Sequence, residues 1–566
     1  MRKKRMAMTK RNNAKEFGFL LGTIEEYVPY NHLVRKLEDA IDWNFIYGKV
    51  KSLYSEFGRP SIDPVILFKM IFINYSFGIN SMRKTCEEIK VNLAYRWFLG
   101  ISLDEAVPNY STWSQNYIRR YGDSEVFNEI FDHILEQAIR KGYVDVSAVF
   151  GDSTHQKASA NKRKANDKEV EITRKVYEEE LLNEINEDRA KHNKKELKEV
   201  GKTELDFDAE GQEIEVKGET KHIKESTTDP ESGLYHKGEH EKCFAYSHQT
   251  FCDKNNFVLA SVTVPGNVHD SVSFYEAYNV LEEKFKDRIK NVCLDAGYNV
   301  GHICRAIYKN GEQPVLPYHR PMGEKKAIRK ADFQYDEESD SYICPQGCIL
   351  EYVTTNRDGY RQYRCKSCEG CPLKDACTKK ATKTIFVHIW EHYRKEADEY
   401  RHTKEWKEIY PLRKETIERV FGDAKENHGL RYTRVRGLKK NQHQALIIFA
   451  CHNLKKLGIW KWRDERKISF SFVKFCHISR LDSEVRKKPP FLKLRFQKCG
   501  FCQQSERSKQ CLLLGLVKDS VIKREYPAGK LTGSDLVEFL LDHGHSGIEV
   551  INVMKSFCFK SSRQYR

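Results

Sequence analysis

Two short apolar runs, each ending on an aspartate, constrain this chain more than any other feature. In Tyr143–His155, YVDVSAVFGDSTH, the residues Val144, Val146, Ala148, Val149 and Phe150 form a β-branched, mostly apolar segment that predicts an interior strand. The segment runs straight into Gly151 and Asp152. A carboxylate at the exit of a buried strand needs a cation, backbone donors or a metal, because an unpaired buried charge is costly. Asp152-Ser153-Thr154 would also serve as an ordinary helix or turn cap. Recurrence weighs against that plainer reading. In Ile289–Tyr298, IKNVCLDAGY, the apolar Val292, Cys293 and Leu294 again precede an acid, Asp295, and a small-residue turn. Two strand-end carboxylates in one α/β region make a better metal-site candidate than either alone.

Between and after them lie the elements that such a region needs. Residues 242–265 read as two strands joined by a turn at Asp253-Lys254-Asn255-Asn256, and His269-Asp270-Ser271 caps the helix that follows. A third acid comes from a helix. In Lys414–Asn427, KETIERVFGDAKEN, the residues Ile417, Val420, Phe421 and Ala424 share one face and Glu418 lies at its border. Lys425, seven residues on, falls on the same side two turns away. Glu415 is the alternative acid, and a solvated glutamate on an amphipathic helix is the bland one.

The rest of the chain surrounds this region. Residues 17–140 read as an all-helical domain. Pro64 opens a helix with Val65, Ile66, Phe68, Ile71 and Phe72 on one apolar face, a break at Ser76-Phe77-Gly78 follows, and a second helix starts at Asn80 or Ser81 with Arg83 and Lys84 outward. That pattern fits a helix-turn-helix that contacts DNA as well as plain helical packing. Basic charge supports the former. Lys and Arg outnumber Asp and Glu by 97 to 81, and Gly429–Arg463 holds nine basic residues and no acid, which suits a polyanion. Residues 1–16 form a basic tail, here read as solvated. No apolar run reaches the roughly 18 residues of a membrane span, and the start lacks a signal-peptide core, so a cytoplasmic protein without membrane contact is expected.

Two insertions interrupt the α/β region at 141–463. Residues 162–228 are expected to be a charged, solvent-facing helical segment with a loose linker: between 167 and 225 there are 19 acidic and 12 basic residues. Residues 335–385 carry Cys344, Cys348, Cys365, Cys368, Cys371 and Cys377. Closely spaced thiols in an intracellular chain point to a Zn²⁺ site of zinc-ribbon type rather than to disulfides. Six candidates exceed the four that a tetrahedral site takes, so the set stays open. Residues 464–566 read as a poorly ordered C-terminal extension with no assigned role.

The blocks GDSTHQKASANKRK, HKGEHEKCFAYSHQTFCDKNNFVLASVTVPGNVHDS, LDAGY and RKETIERVFGDAKENHGLRYTRVRG resemble, in order, those of bacterial insertion-sequence transposases of the DDE type, over about Tyr27 to Lys461. The resemblance implies an α/β (α+β) architecture: an RNase H-like catalytic domain with a mixed sheet, behind a helical DNA-binding domain. It implies that Asp152, Asp295 and Glu418 bind Mg²⁺ or Mn²⁺, and that Tyr410, Arg413 and Lys425 are the Tyr, Arg and Lys accompanying the glutamate. The interval from Arg413 to Glu418 is one residue longer than the common pattern, which keeps Glu415 in play. Arg431, Arg434 and Arg436 would track the DNA backbone. The implied reaction is cleavage at the terminal inverted repeats and joining to target DNA by a homo-oligomer. An RNase H-like nuclease, or a lapsed transposase that only binds DNA, is the alternative.

Overall fold

The computed structural model describes residues 22–485, apart from residues 56 and 59 and the segments 172–176, 198–205, 208–212, 215–219, 238–240 and 319–327. The basic tail at 1–16 and residues 486–566 of the extension at 464–566 therefore lie outside the described residues. Met1–Ser471 forms one compact unit and Phe472–Arg566 a second, of which 472–485 are described and are helical.

The N-terminal region is helical, as expected. Its hub is α1 (Pro64–Ser76), started by the Asp63 carboxylate, which accepts the N–H of Val65 at 2.7 Å, with Pro64 in the first turn. The sequence predicted one apolar face. Instead α1 is buried nearly all round, through Leu67, Phe68, Met70, Phe72 and Ile73, because neighbouring helices enclose it. A second helix, α2 (Met82–Val91), is capped by Ser81 and presents Arg83 and Lys84 to solvent. Helix α3 (Val126–Arg140) then leads into the sheet.

The central sheet is mixed. β1 (Ala148–Lys157) is flanked on one side by the long β5 (Glu241–Asp253), antiparallel, and on the other by β7 (Asn291–Cys293), parallel, with β8 (Gln313–Val315) parallel beyond it. β5 also pairs with β6 (Val258–Pro265) through the predicted hairpin and with β4 (Gly233–Lys237). Helices α5 (Asp270–Phe285) and α6 (Gly301–Lys309) complete this α/β layer. The apolar starts of β1 and β7 are inaccessible to solvent: Ala148, Val149, Phe150, Val292 and Cys293 are all buried. Such an arrangement is consistent with an RNase H-like domain.

The first insertion departs from expectation. It is not simply helical: β2 (Ala165–Glu171) pairs antiparallel with β3 (Thr220–Ser226), and this two-stranded arm brackets α4 (Glu178–Lys191). Val170 lies in β2 rather than in a helix. The cysteine-rich insertion is a five-stranded antiparallel sheet, β9 (Gln334–Asp336), β10 (Ser341–Ile343), β11 (Ile349–Thr355), β12 (Tyr360–Cys365) and β13 (Thr384–His388). It has a small core of its own around Phe333, Leu350, Tyr363 and Ile385. The chain returns through α7 (Ile417–Asn427) to α8 (Leu438–Val485), which runs past the expected boundary at 463. No helix among the described residues is long and apolar enough to cross a membrane.

Candidate active site

Asp152 and Asp295 are brought near each other by the pairing of β1 with β7. The last parallel pair is Phe150 with Cys293, and each aspartate stands two residues beyond it, Asp152 still within β1 and Asp295 just past the end of β7. The charge of Asp295 acts on the Asp152 carboxyl. The Asp295 carboxylate accepts the N–H of Gly297 at 2.6 Å, fixing a short 3₁₀ turn. Gly151 has no room for a larger residue: a Cβ there would meet Phe251 at 2.4 Å and Leu294 at 2.6 Å.

The third acid arrives through a braced segment. Trp406 donates from Nε1 to the Leu316 carbonyl at 2.9 Å, and Tyr410 stacks on its ring at 4.7 Å. The 3₁₀ turn Tyr410–Lys414 carries Arg413 inward, and a break at Thr416 restarts the chain as α7 with Glu418 in the first turn. Arg413 is the hub of the cluster. One end of its guanidinium bonds Asp152, the other reaches Glu418 at 3.4 Å, and Asp295 also acts on its charge. A single guanidinium spanning both carboxylates puts them roughly 8 Å apart or closer, given its fixed planar fork. Glu418 is half exposed, whereas the Asp152 and Arg413 side chains are largely buried. Glu415 is exposed.

Burial pushes the Asp152 carboxyl up to about 6, and the charges of Asp295 and Asp270 add to that against the opposing pull of Arg413. Asp270 is a fourth acid of this cluster that the sequence reading treated only as part of a helix cap. It stands in the first turn of α5, and its charge also acts on buried Tyr298, whose hydroxyl donates to Gln249 at 2.8 Å.

Lys425 stands beside the stretch of β1 that follows Asp152. With Ser153, His155, Lys157, Tyr235 and Arg431 it lines a cleft of ≈ 330 Å³, where His155 and Tyr235 stack at 3.6 Å. Backbone bonds from Lys157 N–H to the Arg431 carbonyl (3.0 Å) and from Thr433 N–H to the Lys157 carbonyl (2.9 Å) fasten residues 431–433 to the end of β1. Arg431, Arg434 and Arg436 are exposed; Arg431 pairs with Glu426, and Arg436 donates to the Ser159 carbonyl at 3.2 Å. Arg434 and Arg436 thus lie on the surface rather than in the acid cluster.

The six cysteines gather at one end of the five-stranded sheet. Cys344 Sγ accepts the N–H groups of Gln346 (3.4 Å) and Cys348 (3.2 Å), and Cys368 Sγ accepts that of Lys383 (3.4 Å). Burial and the neighbouring Cys368 push the Cys365 thiol up to about 11, and Cys344, Cys368 and Cys371 act on Cys377. The sulfurs nevertheless do not close into a ready metal cage. Among the described residues, the one set of three ligand atoms mutually within 4.8 Å is Asp423, His428 and His452.

Comparison with known families covers two parts of the chain. Residues 22–119, the helical region, match the family described as a transposase domain (DUF772). Residues 343–458 match the family described as a transposase DDE domain, a span that takes in the six cysteines, the last three strands of their sheet, Arg413, Glu418 and Lys425 but neither Asp152 nor Asp295. No curated protein matches the chain.

Proposed function

We propose that this chain, two parts of which match transposase domain families, is an insertion-sequence transposase of the DDE type that cuts and joins DNA at the cluster of Asp152, Asp295 and Glu418. Transposases act on DNA, and DDE enzymes use divalent metals, typically Mg²⁺. The observation that carries the reading is the Arg413 bridge: one side chain ties an acid on the sheet to an acid on α7, while Asp295 stands just past the end of β7, the strand paired with β1.

The donor set fits hard divalent cations: Asp152 held within β1, Asp295 just past the end of β7 and Glu418 on α7, with Asp270 near them. Asp152, Asp295 and Glu418 would hold Mg²⁺ or Mn²⁺, which when bound activates an attacking oxygen and steadies the leaving one. The remaining work falls to the protein. Asp152 must be ionised to take part, and its burial keeps the carboxyl ready to lose a proton near neutral pH. Arg413, held on the Trp406–Tyr410 stack, balances the acids and can pass its fork to a phosphate oxygen. Lys425, Lys157 and Arg431, which line the cleft beyond Asp152, grip the strand on one side of the cut, with Arg434 and Arg436 extending that track along the surface. The helical region at 17–140, with Arg83 and Lys84 outward, reads as the module that binds the element ends, as the residues at 141–463 read as the catalytic domain. Two copies on paired ends would act together. The cysteine-rich sheet would hold Zn²⁺ through four of its six thiols as a structural brace.

A test uses DNA carrying paired terminal repeats, a target plasmid and Mg²⁺. The wild-type chain should release the ends and join them to the target. Asp152→Ala should lose cutting while still shifting end DNA in a gel; if that variant cuts normally, the assignment fails. Cutting without joining would make the chain a nuclease instead.

A further inference from the structure

Asp423, His428 and His452 form a second chemical cluster, on the far side of α7 from the DNA cleft and unused by the proposed reaction. Asp423 lies in the second half of α7, His428 caps that helix at its C-terminus, and His452 comes from α8. His428 Nε2 and His452 Nδ1 both face one oxygen of Asp423, Oδ2, at 3.2 and 2.9 Å. The opposite nitrogen of each ring is committed elsewhere. His428 Nδ1 lies 2.9 Å from the Tyr75 carbonyl at the end of α1, and His452 Nε2 lies 2.9 Å from the Asn256 carbonyl in the β5–β6 turn. A carbonyl only accepts, so each outer nitrogen carries the proton and donates it. A neutral ring then presents a lone pair, not a hydrogen, on its inner nitrogen.

Two lone pairs and a carboxylate oxygen thus converge on one point. The carboxylate is that of Asp423. Its second oxygen, Oδ1, is bonded by the Asn427 amide at 2.6 Å and faces Lys455 at 3.6 Å, so Oδ2 alone is left for the shared point. Every inner donor is therefore oriented by an outer partner, the arrangement that fixes ligands around a metal. His428 is wholly buried and His452 nearly so.

We propose that Asp423, His428 and His452 bind a divalent transition-metal ion, Zn²⁺ by donor type, as a structural centre separate from the catalytic carboxylates. Two imidazoles and one carboxylate suit zinc, with a water completing four ligands. The ion would tie α7 and α8 to each other and, through the outer carbonyls, to the end of α1 and the β5–β6 turn. Gly78 shows how close that junction is: its φ is +62°, and a Cβ there would lie 2.8 Å from the Asn427 carbonyl. Glu418 is five residues, about 7.5 Å of helix, from Asp423, so the centre would also hold the helix that presents the third acid. The competing arrangement is two doubly protonated rings clamping Asp423 with no metal.

The experiment measures zinc bound to the full chain, purified with zinc and kept in excess Mg²⁺, in a background with Cys344, Cys348, Cys365, Cys368, Cys371 and Cys377 all replaced by Ser, which removes the thiol candidates. The expected result is one zinc per chain, with X-ray absorption showing nitrogen and oxygen at about 2.0–2.1 Å, imidazole outer-shell scattering and no sulfur at about 2.3 Å. Adding His452→Gln should remove that zinc. A cysteine variant that carries no zinc, or zinc that survives His452→Gln, overturns the proposal. If the cysteine variant does not fold, the wild-type spectrum decides: imidazole scattering supports the centre, and a shell of sulfur alone overturns it.

Discussion

At the scale of single residues, Asp152 is the group whose chemistry can be followed without DNA. Its folded carboxyl titrates at about 6 against 3.8 for an unburdened one. A raised acid is favoured in its neutral form, so the stability it lends is whole below about pH 4 and is lost as pH climbs through about 6. In chelator, Asp152→Asn should match the wild type near pH 4 and exceed it by on the order of 2 kcal/mol at pH 7, read from urea melts. Adding Mg²⁺ at pH 7 should raise the wild-type midpoint and leave the variant unmoved. At the cleft, Lys425→Ala and Arg431→Ala should each weaken DNA binding across sequences and lower the slope of log K against log salt by about one, as expected for a lost phosphate contact. Asp152 and Asp295 were legible in the sequence because an apolar run ending in an acid is a local pattern. Asp270 was not, since its nearness to Asp152 comes from the packing of α5 on the sheet, which no neighbouring residue announces. His428 and His452 were missed for the same reason: they are 24 positions apart in sequence and meet only because α7 and α8 fold together.

At the scale of elements, β1 and β7 act as a ruler, and Gly151 is what lets them lie close. Gly151→Ala would force Phe251 and Leu294 aside, and Leu294 directly precedes Asp295. A loss of about 1–3 kcal/mol is expected from such overpacking, together with a fall in cleavage larger than the fall in DNA binding; equal falls would mean that the acids had kept their spacing. Reading by element succeeded where periodicity is strong. The α7 face of Ile417, Val420, Phe421 and Ala424 is buried as expected, and the 253–256 turn joins two strands. It failed at the first insertion, where β2 and β3 are charged strands joined across a long gap, Asn166 opposite Glu225. Such pairing leaves no alternation to read. It also fell short at α1, whose second apolar face has meaning only once the surrounding helices are in place.

At the scale of the whole molecule, the acids rest on unlike supports. Asp152 and Asp295 share a sheet whose hydrogen bonds set their separation, while Glu418 is delivered by a half-exposed helical turn resting on the Trp406–Tyr410 stack and on α8. Trp406→Ala should therefore leave the sheet and its melting largely intact yet cut activity at limiting Mg²⁺ by about tenfold or more, with partial recovery at high Mg²⁺, because the loss is in assembling the third ligand. Unrecovered activity together with a large drop in melting temperature would show the stack to be part of the core instead. A mixed support of this kind means that the two aspartates and the glutamate answer to different parts of the core. The buried face of α7, Ile417, Val420, Phe421 and Ala424, sets where the third acid stands, so a change beneath that helix reaches the site without touching the sheet.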